Sequence, residues 1–519
     1  MQPVLLGIDF GTSSARAATI QAETGGLLSS GVAPYPNGTY TATRPLLDQI
    51  ALPAHWALQD ARDYLAALEE AVRACLANLE GPYEVLAIGV DFTSCTILPT
   101  DGRLRPLHTL PEFSDRPHAY VKLWKHHSAA PQAQRLNELP LPHGRTSSEW
   151  VFAKGLELFQ QDPHVFEHAA RWIEAGDWVV SNLVGQEVRS LCQAGYKAHW
   201  RGEYPQAALL ERAAPGFSAI LEKLAPPLTG SKLAGGLSAP WAERLGLQAG
   251  TPVATALIDC HTSTYPLRGF EPGVLISNLG TSACHVSSLP SATPLPGMIG
   301  GVEGGIAEGY WTAEFGQPAL GDGLAWLARL TGASVAELEA EARSEAPHPA
   351  LAALDWWNGS RSPLQNEGLR GVFWGVDLEV SRGQLYRAMV EAATCGIRLI
   401  TEGHAAAGVP LKRIRTAGGV AEQRGLLLER IATATGLPLE VSRQPHVSAR
   451  GAAIHASVAA GLFAHGHEAS TALGDPQVVV VEPSGQVDER LEQLFALYQR
   501  IHRAEDLIGW LGYGLSAQI

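Results

Sequence analysis

Residues 7–16 read GIDFGTSSAR, and residues 276–285 read ISNLGTSACH. An apolar run precedes each glycine turn: Val4-Leu5-Leu6 leads into the first and Val274-Leu275 into the second. Laying Gly11-Thr12-Ser13 on Gly280-Thr281-Ser282 sets Asp9 on Asn278, so the phrase occurs twice and its carboxylate once. Each copy reads as strand, tight turn, strand. A hairpin repeated once per half predicts two similar α/β domains that face each other across a cleft.

A Gly-Thr-Ser turn presents backbone N–H groups and hydroxyls with no bulky side chain in front of them. Phosphate oxygens accept hydrogen bonds from such a nest. One turn of this kind is equally an ordinary tight hairpin. Two in register, with a third glycine-rich turn at Gly418-Gly419, form a cradle for a triphosphate tail and its nucleoside. Asp9 then has a role that Asn278 cannot fill, because Mg²⁺ is held by one or two carboxylates, waters and the phosphates themselves.

At 519 residues the chain exceeds one ordinary core, which again predicts two domains. A composition of 46% hydrophobic and 17% charged residues is that of a globular protein. The formal charge of −14 argues against a nucleic-acid partner, which Lys and Arg would have to neutralise. Cys75, Cys95, Cys192, Cys260, Cys284 and Cys395 are scattered without a CxxC pair, the pattern of reduced thiols in a cytoplasmic protein. The opening MQPVLLGIDFG lacks the basic and long apolar regions of a signal peptide. With no run of about 18 apolar residues, no membrane partner is expected.

Leu65, Leu68, Val72, Leu76 and Leu79 recur at helical spacing after Asp60, a candidate N-cap. The strand EVLAIGVDF follows; its GVDFTS echoes GIDFGTS without the turn glycine and is not read as another phosphate hairpin. PVATALID is expected to be one strand closing the first domain, giving domains 1–265 and 266–519. The Pro/Gly-rich 226–252 region offers hinge material, and the glycine-broken WTAEFGQPALGDG is expected to be loop. Helices are expected at 383–407 and 448–461. A last helix carries Leu491, Leu494, Phe495, Tyr498 and Ile501 on one packing face.

DFGTSSAR, TPVATALIDCHTS, NLGTSACH, and AGGVA followed by SARGAA resemble the FGGY family of carbohydrate kinases over nearly the whole chain. Within that family LWKHH (123–127), SSEWVFAK (147–154), WIEAGDW (172–178), AGYKAHW (194–200) and DWWNGSRSP (355–363) look like ribulokinase segments. The resemblance implies an actin-like, ribonuclease-H-like fold in each domain, ATP with Mg²⁺, and phosphoryl transfer to a sugar hydroxyl. The implied reaction is L-ribulose to L-ribulose 5-phosphate, in L-arabinose catabolism, with D-ribulose, xylulose or a pentitol as alternative acceptors. A reading from another class is a non-catalytic actin-like protein that binds nucleotide or senses sugar. A homodimer is a further expectation.

Carried onto this sequence, the resemblance makes Asp259 the catalytic base and a substrate contact; by residue type alone it also suits the N-cap of a following helix. Gly11, Thr12, Ser13 and Arg16 would position phosphates from one side, and Gly280, Thr281, Ser282, Gly418 and Gly419 from the other, with Asp9 on the metal. Trp124, Lys197 and Glu314 would hold the sugar, an indole on its C–H face and charged groups on its hydroxyls. Thr93 and Ser94 would line the same pocket. The pattern is broken at Arg424 and Thr433, where the family has Asn and an acidic residue near the base, and at His126, where ribulokinases commonly carry Asp. His261 and His285 lack metal-ligand spacing and receive no role.

Overall fold

The computed structural model describes residues 1–141, 144–230, 232–423, 425–474 and 477–504. The chain divides into two compact units. The first holds Met1–Arg268, Val302–Tyr310 and Pro445–Asp475; the second holds Gly269–Gly301, Trp311–Gln444 and Pro476–Ile519. A single cut at 265 leaves the two later segments with the second half, whereas they pack with the first.

In the first unit the strands Gln2–Phe10, Ser14–Gln21 and Leu27–Pro34 form an antiparallel meander. Tyr83–Phe92 pairs in parallel on the other side of Gln2–Phe10, followed by Pro252–Ala254 and Leu233–Gly236 at the edge. In the second unit Val274–Leu279, Ala283–Leu289 and Trp311–Gln317 form the same antiparallel meander. Arg413–Ala417 and then Leu439–Ser442 run parallel beyond Val274–Leu279. The repeated phrase thus occupies the same place in two sheets of the same order: the first hairpin of the meander, whose leading strand borders the parallel strands.

Sequence chemistry accounts for the elements that flank the first sheet. Asp60 caps the helix Ala61–Ala77, its carboxylate accepting from the Arg62 N–H, and Leu68, Val72 and Leu76 are buried under the sheet. The helix Val447–Ala459 lies across Gln2–Phe10 and Tyr83–Phe92 and needs glycine beneath it. A Cβ on Gly7 would sit 1.7 Å from the Ala449 carbonyl oxygen, and one on Gly89 1.9 Å from that of Ala452. Helix backbone and strand backbone touch there with no room for a methyl group.

Three expectations are corrected. PVATALID is not one strand: Pro252–Ala254 and Leu257–Ile258 are separate, and Asp259 opens the short helix Asp259–Thr262. WTAEFGQ is no loop; Trp311–Gln317 is a strand buried on both faces, with Trp311, Ala313 and Phe315 on one side and Thr312, Glu314 and Gly316 on the other. The 226–252 region is no free hinge segment, since it supplies the edge strand Leu233–Gly236 and the helix Ala239–Leu245 of the first unit. The last helix, Glu489–Arg503, buries Leu491, Phe495, Tyr498 and Ile501. Among the described residues no helix is long and apolar enough to cross a membrane.

Candidate active site

Two parallel strands of the first unit end on the same dipeptide. Asp9 lies opposite Asp91 and Phe10 opposite Phe92 in the register of Gln2–Phe10 and Tyr83–Phe92. Leu257–Ile258 pairs with Asp91–Phe92 from the far side and delivers Asp259 one residue later. The chain therefore brings three carboxylates to the carboxyl ends of adjacent strands.

Their surroundings differ. Asp9 faces Arg16 across the hairpin ladder, and the guanidinium donates to its carboxylate at 2.9 Å. Asp259 accepts from the Cys260 N–H at 2.7 Å, which orients its carboxylate at the helix start. Asp91 is fully buried, and among the described residues neither of its oxygens has a hydrogen-bond partner. Burial, with Asp9 and then Asp259 adding to it, pushes the Asp91 carboxyl well above the usual carboxylate range, against the pull of Arg16. Such a group asks for a proton or a cation. The sequence signal for it was the shared Asp-Phe ending of GIDF and GVDF, which marks Asp91 without any turn glycine.

The turn Gly11–Ser13 is held from behind. The Gly11 N–H donates to Ser14 O at 3.1 Å, Tyr35 OH donates to Gly11 O at 3.0 Å, and the Gln59 amide donates to Thr12 O at 2.7 Å. Ser13 is left exposed at the tip. In the second unit the turn Gly280–Ser282 closes one residue tighter, with Leu279 opposite Ala283, where the first sets Phe10 opposite Ala15. The Gly280 and Thr281 carbonyls accept from Gly321 and Asp322 N–H, and Thr281 is exposed. Gly418, at φ 108°, bends Arg413–Ala417 into the short helix Gly419–Glu422; a Cβ there would meet Leu279 O at 2.5 Å. Gly419 has open space where a side chain would be. Arg424 lies outside the described residues, and Thr433 is half-buried on the helix Leu426–Thr435.

Trp124 sits on a turn of the first unit with its indole N–H donating to Thr12 Oγ1 at 3.1 Å, so it is tied directly to the hairpin tip. Thr93 is buried; its hydroxyl pairs with that of Thr96 at 2.9 Å and its N–H donates to Phe10 O, while Ser94 is half-buried in the turn. Lys197 closes the helix Leu191–Lys197, buried, with its ammonium 5.9 Å from the Trp150 ring centroid. Glu314 is buried mid-strand in the second unit, opposite Val286. His285 is a satisfied core histidine, bonded to Ser277 and Gln317, and burial lowers it to about 4.

Sequence reasoning missed the braces behind these residues. Buried Lys154 donates to Cys95 O at 2.6 Å and Leu123 O at 2.8 Å, joining the Thr93–Cys95 turn to the turn that carries Trp124. Burial lowers its ammonium to about 8. His126 does not face a ligand; it is fully buried, with Nδ1 accepting from the Ala57 N–H and Nε2 bonded to Glu157.

Glu174 lies in the same interior, and neither of its oxygens finds a partner among the described residues. Burial, with Asp177 adding, raises it to about 8 against Lys154, Lys197 and Arg189. A carboxyl raised in the folded state binds its proton where the unfolded chain has lost it. Its stabilising contribution is therefore present at acidic pH and is lost as pH rises from the ordinary carboxylate range through about 8. Glu174→Gln, the isostere of the protonated acid, is expected to match the wild type near pH 5. It should gain on it by on the order of 1 kcal/mol per pH unit up to about pH 8. Denaturant unfolding across that range checks this; a constant difference would show that Glu174 is ionised in the fold.

Known proteins share this architecture. The xylulose kinase from Lactobacillus acidophilus superposes with a TM-score of 0.77 at 16% identity, over 97% of this chain and 98% of that one. The Plasmodium falciparum glycerol kinase with ADP gives 0.74 at 15% identity, over 97% and 98%. The fold is thus that of the two-domain actin-like kinases of small polyhydroxy compounds. Residues 275–460 match the C-terminal domain of the FGGY family of carbohydrate kinases. The ribulokinase of Mycolicibacterium smegmatis is 37% identical, over 96% of this chain and 93% of its own. That of Bacillus licheniformis is 35% identical, over 94% of each. The chain belongs to the FGGY family of carbohydrate kinases, and it is a sugar kinase.

Proposed function

We propose that this kinase transfers the γ-phosphoryl group of ATP to a hydroxyl of a pentulose, with L-ribulose preferred and L-ribulose 5-phosphate as product. Asp9, Asp91 and Asp259 gathered at the ends of adjacent strands are the observation that carries the phosphoryl-transfer chemistry. Full-length relatives named ribulokinase, at 30–37% identity, support the sugar.

Asp259 is the base. Its carboxylate takes the hydroxyl proton as the sugar oxygen attacks the γ-phosphorus and the bond from that phosphorus to the bridging oxygen breaks, leaving ADP. Trp124 offers its ring to the sugar's C–H face, Lys197 and Glu314 address hydroxyls, and Thr93 and Ser94 line the pocket wall. Backbone N–H groups and hydroxyls of Gly11, Thr12, Ser13, Gly280, Thr281 and Ser282, with Gly418 and Gly419, hold the nucleotide phosphates. Arg16 keeps Asp9 in place and contributes positive charge. A hydrated Mg²⁺ fits Asp9 and Asp91, because the buried oxygens of Asp91, without a hydrogen-bond partner among the described residues, are hard donors beside a second carboxylate; when bound, the ion would neutralise phosphate charge.

A coupled assay of ADP release over L- and D-ribulose, the xyluloses, ribitol, arabitol and glycerol tests the reading. The highest kcat/KM is expected with L-ribulose, above a water background that is at least tenfold lower. Nucleotide binding without turnover on any pentulose or polyol would replace the enzyme with a sensor.

A further inference from the structure

Glu112, His164 and His168 stand apart from every residue used above. Glu112 lies on the 3₁₀ turn Pro111–Phe113, and the two histidines lie one helical turn apart on Pro163–His168. One ligand atom from each residue lies within 4.8 Å of the other two. Glu112 Oε1 is 3.0 Å from His164 Nε2. His168 Nδ1 donates to His164 O at 2.8 Å, which leaves the lone pair of that ring on Nε2. The side chains keep solvent access, His164 at 38% and Glu112 at 59% exposure.

The three groups rest on a built platform. Buried Phe113 sets its ring 5.4 Å from both imidazoles, whose centroids are 4.4 Å apart. Arg116 donates to Asp162 at 3.0 Å, and Asp162 in turn caps the helix by accepting from the Val165 N–H. The turn and the helix are therefore tied together before any ligand arrives. Lys223 Nζ is committed to Ala169 O at 2.7 Å and to the Phe166 ring, and so is bound beside the site instead of lying in it.

We propose that Glu112, His164 and His168 form a surface site for one borderline divalent transition-metal ion of the zinc class. Two imidazoles and one carboxylate are a zinc donor set with positions left for water, and imidazole discriminates against Mg²⁺ and Ca²⁺. The ion takes the place of the proton between His164 Nε2 and Glu112, and that proton passes through solvent to Nδ1, so the neutral ring keeps one N–H and binds the ion through the Nε2 lone pair. Binding clips the 3₁₀ turn to the helix and is separate from the ion that accompanies ATP.

Equilibrium dialysis of the full chain against zinc chloride in excess Mg²⁺ tests the site, since Mg²⁺ fills oxygen sites and leaves imidazoles open. The wild type is expected to retain one zinc equivalent more than the His164→Ala/His168→Ala double variant, and Glu112→Gln to bind that ion roughly tenfold more weakly. Glu112→Gln preserves shape at an exposed position, so its affinity is readable even if the double variant loses structure. Equal stoichiometry and affinity in wild type and both variants, or displacement of the ion by millimolar Mg²⁺, would overturn the proposal.

Discussion

Asp259→Asn is expected to lower kcat by about 10²–10⁴-fold while leaving ATP affinity and the melting temperature close to those of the wild type. The amide keeps an oxygen to accept the Cys260 N–H, as Asp259 does at 2.7 Å, so the helix start Asp259–Thr262 keeps its geometry. What it loses is the ability to take a proton. Charge also changes: one negative group leaves the neighbourhood of Asp91, whose carboxyl is already pushed up by burial, Asp9 and Asp259. The substitution therefore relieves repulsion while it removes the base, and a stable, inactive enzyme is the expected combination. Steady-state turnover with L-ribulose, beside nucleotide titration and a thermal melt, reads all three. Turnover within tenfold of wild type would take the role of base away from Asp259. Loss of ATP binding together with activity would make it a structural residue instead.

How far this site was legible in the sequence follows from what each signal depends on. The two hairpins are local: Gly-Thr-Ser between apolar runs specifies its own turn, and the structure puts both at the same place in two sheets of one order. Asp60 as a helix cap is equally local. PVATALID failed as one strand because its break at Thr255-Ala256 is set by neighbouring chain, with Thr255 N–H donating to Lys232 O at 2.8 Å, a contact no pattern encodes. Trp311–Gln317 failed although Trp311, Ala313 and Phe315 alternate with Thr312, Glu314 and Gly316, because the run is short and Gly316 and Gly321 read as breakers. Asp91 was hidden because its importance comes from parallel pairing with Asp9, some eighty residues away along the chain. His126 was legible as a departure from the pattern, yet its consequence was not: only the packing shows it facing Glu157 and not a ligand.

That packing gives the second large effect. Glu157→Ala is expected to destabilise the first unit by about 3–5 kcal/mol and to raise the KM for sugar. Lys122, His126 and Glu157 are all without solvent exposure. Lys122 Nζ is 2.8 Å from Glu157 Oε2 and 4.6 Å from the Trp56 ring centroid, and His126 Nε2 is 3.1 Å from the same oxygen. Ser128 donates to the other oxygen. Burial and then Lys122 hold both His118 and His126 neutral, at about 2 and about 3, so Glu157 is the countercharge that the ammonium meets here. Removing it strands a buried cation. Lys122, His126 and Ser128 bracket Trp124, so the same loss frees the segment that presents the indole. Glu157 is depressed below its ordinary range, chiefly by Lys122 against the cost of burial. Its contribution is thus present above the unfolded carboxylate pKa and is lost as pH falls below it, so the gap between wild type and variant should narrow below about pH 4.5. The buried histidines add acid sensitivity to both proteins from about pH 6.5 downward, because the unfolded chain binds protons that the fold refuses. Hydrogen exchange over 121–128 and 151–161 isolates this network from the rest of a two-unit chain, where a single global melt does not. Exchange protection unchanged in Glu157→Ala would mean that Lys122 finds another partner, and Glu157→Leu paired with Lys122→Met, which removes both charges, should recover much of the lost protection.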